Sequence, residues 1–183
     1  VLMFDLGLGN GLRNKLPGCM IEGNKEKAKE YIASTYAGTG IVVIAWAIIG
    51  IFAIQLVNWN VFLNISTGDV GAYALRTSIA ITFCGWMVQF VLKTITSILY
   101  AIQKSAVVNF LSLITSILTL TMVSIIPSAS TEENLIHMAM VNALAANIPL
   151  LIATIIVFRT ELKEYLPGAR HVSKERMKEV LNI

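Results

Sequence analysis

The chain has 183 residues, of which 56% are hydrophobic and 14% charged, with two cysteines, two histidines and a net charge of +3. Soluble proteins carry about 25% charged residues, so the composition excludes a soluble domain, indicates an integral membrane chain and suggests no nucleic-acid partner. In such a chain the total charge matters less than where the basic residues lie relative to the spans.

Residues 1–16 are expected to be the cytoplasmic end of a truncated transmembrane helix. Gly7, Gly9 and Gly11 stand at alternate positions, without the G-x-G-x-x-G spacing and βαβ context of a dinucleotide loop. They suit close helix approach or local unwinding in a membrane bundle. Asp5 reads as an interfacial cap or a buried partner for a cation. Residues 17–35 are expected to form a cytoplasmic loop and helix, with Asn24 as its cap. Glu22, Glu26 and Glu30 alternate there with Lys25, Lys27 and Lys29, the pattern of a solvated helix lying on a membrane surface.

Residues 36–158 hold four expected transmembrane helices, at about 36–57, 77–102, 107–126 and 135–158, each near the 20 residues that cross a bilayer. The first has a small-residue edge at Gly38, Gly40 and Gly50, and Trp59 follows as an interface anchor. The second carries Lys93 in its inner half. At about 100° per residue, Ser78, Thr82, Trp86, Gln89, Lys93, Thr96, Ser97, Tyr100 and Lys104 share one stripe. At membrane depth such a stripe faces protein or a water-filled cavity. The competing reading has Lys93 snorkelling past Tyr100, about 10 Å below, to the headgroups.

On the third span Ser112, Thr115, Ser116 and Thr119 read as packing glue or as cavity lining. The fourth contains Asn142, Asn147 and Pro149, with a kink expected near Ala145. Glu133 and His137 share a helical face at i,i+4 but read as a solvated pair rather than a metal site, and Cys19 and Cys84 fall in a loop and a span, which disfavours a disulfide. Residues 159–183 are expected to be a cytoplasmic inter-lobe linker that turns at Pro167-Gly168 and restarts at Ser173 as the start of the next helix. Twelve of the fourteen basic residues fall on one side of this four-span scheme, all but Arg76 and Lys93. That side is therefore read as cytoplasmic.

Three passages carry a resemblance. They are Phe4-Asp5-Leu6-Gly7-Leu8-Gly9-Asn10-Gly11-Leu12-Arg13-Asn14-Lys15-Leu16, then Lys25-Glu26-Lys27-Ala28-Lys29-Glu30-Tyr31-Ile32 through Thr35-Tyr36, and Ala101-Ile102-Gln103-Lys104-Ser105-Ala106 with Asn109-Phe110. In this order they resemble the Wzx-type polysaccharide and oligosaccharide flippases of the multidrug/oligosaccharidyl-lipid/polysaccharide exporter superfamily. The resemblance implies an all-α polytopic protein, with this chain forming most of one lobe of a two-lobe transporter. It further implies a place in the bacterial cytoplasmic (inner) membrane, a lipid-linked oligosaccharide as cargo, and envelope polysaccharide polymerase machinery as a candidate partner. The family supplies no invariant motif, so the site residues rest on the stripe.

Lys93 is the candidate contact to a diphosphate, with Gln89, Thr96, Ser97 and Tyr100 beside it. Arg76 near the outer mouth is a weaker second contact or a headgroup anchor. Asn142 and Asn147 are further substrate-binding candidates. No catalytic residue, cofactor or metal is expected. The alternatives are a drug/cation antiporter of the same superfamily, a membrane glycan-processing enzyme, which would display carboxylate or histidine clusters, and an inert helical scaffold.

Overall fold

The computed structural model describes residues 7–126 and 130–181, so Asp5, residues 127–129 and the chain end at 182–183 lie outside it. The described chain is all-α, with no strand. In order the helices are α1 (Leu8–Ile21), α2 (Lys25–Leu56), the short α3 (Trp59–Phe62), α4 (Ala72–Leu92), α5 (Thr94–Ala101), α6 (Ser105–Ile125), α7 (Thr131–Arg159) and α8 (Lys174–Leu181). Four rods are long and apolar enough to cross a membrane: α2, α4 with α5, α6 and α7.

The charged stretch does not lie apart from the first span. It is the opening of α2, which runs unbroken for 32 residues from its Asn24 cap, where the Asn24 side chain accepts from the Lys27 N–H at 3.1 Å. The physical reason is an apolar stripe beneath the alternating charges: Ala28, Tyr31, Ile32 and Thr35 recur at helical spacing and are buried. Leu8, Leu12, Leu16 and Cys19 of α1 are buried in the same cluster. Helix α1 also extends past the expected 16 to Ile21, carrying Pro17 within it.

The second span is the larger correction. It begins at Ala72 and breaks at Lys93, so α4 and α5 are two helices on one rod. The Lys93 carbonyl accepts from the Thr96 N–H at 3.0 Å and from Thr96 Oγ1 at 2.7 Å. An i→i+3 bond reinforced by a side-chain hydroxyl replaces the i→i+4 bond of a continuing helix. The rod then ends at Ala101, and Gln103 adopts a left-handed φ of 60°. The Lys104 N–H reaches back to Leu99 O at 2.8 Å, the chain reversal of a Schellman-type cap.

Helix α7 starts at Thr131, earlier than expected, because Ser130 and Glu133 form a reciprocal capping box. Glu133 therefore serves the backbone rather than pairing with His137. The helix continues through Pro149.

Consecutive rods run antiparallel, so the α4–α5 rod and α7 run parallel to each other. At one end Lys25 pairs with Glu164 and Lys104 with Glu161, each at 2.5 Å. At the other, the Gly71 N–H donates to Glu132 at 2.6 Å, and Trp59, Ile65, Leu135 and Ile136 surround Val70, Ala74 and Leu75. The α4–α7 contact is the most extensive, with α6 laid on α7 and α2 on α4. Gly85 makes it possible: a Cβ there would stand 2.7 Å from the Ala143 Cβ. Several hydroxyls of the long helices bond within their own helix, Ser78 to Ala74 O, Thr82 to Ser78 O and Thr119 to Thr115 O, as a medium without water favours, whereas the buried Tyr36 hydroxyl has no partner among the described residues.

Helix α8 folds back on the start of the chain. Arg176 bonds Glu30 at 3.0 Å and Glu179 at 2.6 Å, while the Tyr31 hydroxyl donates to Glu179. Ser173 N–H donates to Ser34 Oγ at 2.9 Å. Val180 packs against Gly11 so closely that a Cβ at Gly11 would collide with it.

Candidate functional site

Helix α1 packs against α2, α5 and α8, and its Cα atoms stay more than 8 Å from those of α6. Between α1, α4, α5, α6 and α7 this leaves a groove of about 570 Å³. Its walls carry Asn10 and Arg13 from α1, Gln89 and Lys93 at the α4–α5 break, and Thr96, Ser97 and Tyr100 from α5. Ser112 and Thr115 of α6 face them across a floor that includes Leu111, Ala146 and Leu150. Five of the eight residues expected from sequence thus meet in one place. Lys93 is half-buried there and lines the groove.

Asn10 and Arg13 are additions. Arg13 stacks over the Tyr100 ring, its guanidinium carbon 4.3 Å from the centroid, a cation–π contact worth about 0.5–1 kcal/mol when exposed. Two cations therefore line one groove, and among the described residues none of its lining side chains is acidic. Asn10 and Arg13 stand three positions apart, on the helix flank away from Leu8, Leu12 and Leu16. That phase relation is the signal in the sequence that could have found them.

Asn142 and Asn147 lie higher. They line a cavity of about 410 Å³ with Thr82, Gly85, Trp86 and Ala143, and it meets the groove at Gln89 and Ala146. Asn147 donates to Gly85 O at 3.0 Å and to Ala143 O at 2.7 Å, while its buried Oδ1 has no partner among the described residues. Asn142 donates to Met138 O at 3.0 Å. Arg76 is separate. It is exposed beside a pocket of about 190 Å³ with Gln55, Asn58 and Trp59 near the far end of α4, so the structure does not bring it to Lys93.

The hydrogen-bonding capacities divide. Ser112 donates its proton to Val108 O at 3.2 Å and Thr96 to Lys93 O at 2.7 Å, so toward the groove each offers lone pairs. Lys93, Arg13 and the Gln89 and Asn10 amides offer N–H donors. Phosphate oxygens only accept, and sugar hydroxyls both donate and accept, so the donors suit an anionic head and the hydroxyl-lined walls suit a polyol. No group of three or more His, Cys, Asp or Glu side chains able to hold a metal occurs among the described residues.

No family model, curated protein or solved structure matches this chain.

Proposed function

We propose that the chain is most of one lobe of a two-lobe transporter that moves a polyprenyl-diphosphate-linked oligosaccharide across the bacterial cytoplasmic membrane, with its basic end in the cytoplasm. The observation that carries this reading is the pairing of Arg13 and Lys93 in one groove within a bundle of membrane-length helices. A diphosphate leaving water pays a large desolvation cost unless fixed cations receive it. Charges at membrane depth mark pathways for polar cargo rather than ordinary packing. The lone-pair-rich walls and the second cavity with Asn142 and Asn147 extend the same surface toward the opposite end, where a glycan would follow its head. The reading involves no covalent chemistry and no cofactor. Two cations in one groove disfavour the drug/cation antiporter, whose cargo they would repel.

The test is leaflet exchange by the full-length protein in vesicles, using a short-chain fluorescent polyprenyl-diphosphate oligosaccharide and a membrane-impermeant quencher. Protein should speed exchange, and the double variant Arg13→Ala, Lys93→Ala should abolish the acceleration. Well-inserted protein that accelerates nothing, or a double variant that flips at the full rate, overturns the proposal.

A further inference from the structure

The groove accounts for part of the wall that α4 presents, and the rest of that wall is aromatic. Val43 and Trp46 of α2 with Phe83, Trp86 and Phe90 of α4 line an open cleft of about 350 Å³, within the range of small-molecule sites of about 300–1,000 Å³. Gln89 lines both this cleft and the cationic groove, so the two join at one residue. The cleft is built into the packing: the Phe83 ring lies on the α2 backbone at Gly50, where any Cβ would collide with it. Two of the chain's three tryptophans line it.

We propose that this cleft seats the head-proximal hydrocarbon of an isoprenyl diphosphate while the groove holds the diphosphate. The inference rests on the function proposed above and adds to it where the chain leaves the head. An amphiphile of this kind needs a cationic surface joined to an apolar one with no charged barrier between them. Helix α4 supplies both within about one turn, since Gln89 precedes Lys93 by four residues, about 6 Å along the axis. Bilayer lipid is as apolar as the cleft, so transfer into it gains no hydrophobic free energy. The cleft acts instead through dispersion against the ring faces and by fixing the exit direction of the chain.

The experiment uses the full-length protein in nanodiscs, with every tryptophan except Trp46 and Trp86 changed to Phe. An isoprenyl diphosphate brominated near its head serves as a contact quencher. Quenching should saturate, be reversed by excess inorganic diphosphate, and require about 3- to 10-fold more probe in Val43→Phe, which fills the cleft. Inorganic diphosphate binding should be unchanged in that variant. Equal quenching by the brominated isoprenyl alcohol, indifferent to inorganic diphosphate, would make the cleft an ordinary lipid-facing surface and overturn the inference. Diphosphate-displaceable binding of the probe without quenching would also overturn it while leaving the transport reading intact. If neither the probe nor inorganic diphosphate binds, both readings fall. The quenching arms stand even if Val43→Phe does not fold.

Discussion

Replacing Lys93 by alanine separates its two possible contributions, to binding and to the fold, because the structure bounds each. Lys93 is at once the C-cap of α4 and the N-cap of α5, so its two helix-dipole interactions, each about 0.3–1 kcal/mol, oppose one another. The carbonyl that Thr96 holds belongs to the backbone and survives the substitution. The loss of stability should therefore stay below about 1 kcal/mol, too little to prevent insertion. Binding is different. A unit charge 4 Å from a phosphate oxygen is worth about 4 kcal/mol at an effective dielectric of 20. Desolvation of both groups and the remaining Arg13 cut this to about 2 kcal/mol, or roughly a 30-fold weaker Kd for inorganic diphosphate.

Titration calorimetry on the full-length protein in nanodiscs reads that ratio directly. Lys93→Arg, which keeps the charge, should stay within about fivefold of wild type. Equal affinities for Lys93→Ala and wild type, at equal abundance and melting temperature, would refute the reasoning and return Lys93 to the role of an interface anchor.

Four further outcomes follow from particular contacts. Thr96→Val removes the hydroxyl that competes for the Lys93 carbonyl, so α4 and α5 should fuse; spin labels flanking the break should show a longer separation, and an unchanged distance would assign the break to another cause. Gly85→Ala places a methyl 2.7 Å from Ala143 and should cost about 1–3 kcal/mol, read as a lower Tm. Reporter domains after Ser66 and after Gly168 should report from opposite sides of the membrane, the second from the cytoplasm; a shared side would overturn the antiparallel scheme. The Glu179 carboxyl is held below its ordinary range, first by the Tyr31 hydroxyl that donates to it and then by Arg176. A depressed folded pKa contributes stability above the unfolded value of about 4.3 and loses it as pH falls through the folded one. A spin label at Lys178 should therefore gain mobility below about pH 4, and Glu179→Gln should remove the step; flat mobility in wild type would refute the assignment.

What could be read from the sequence was whatever a single helix determines by itself. The four spans follow from hydropathy and length, and the stripe from Gln89 to Tyr100 follows from helical phase, because both are properties of one rod. The break at Lys93 was hidden because neither Gly nor Pro marks it. The one local feature there is a threonine three residues on whose hydroxyl bonds the Lys93 carbonyl, and the same spacing occurs in unbroken helices. The docked start of α2 was hidden because the Glu/Lys alternation on one face outweighed Ala28, Tyr31 and Ile32 on the other. Arg13 was counted among the residues that orient the chain; helical phase sets it with Asn10 on one flank, but that this flank joins Lys93 in a groove depends on how α1 leans on α5.

That difference bears on mechanism. Arg13 rides on α1, which α8 and the opening of α2 fasten at the basic end, whereas Lys93 sits at the break between α4 and α5. On the transport reading, a diphosphate bridging the two cations would tie α1 to the break, and its binding would shift the lobe's shape only if the α4–α5 angle differed between the free and loaded states.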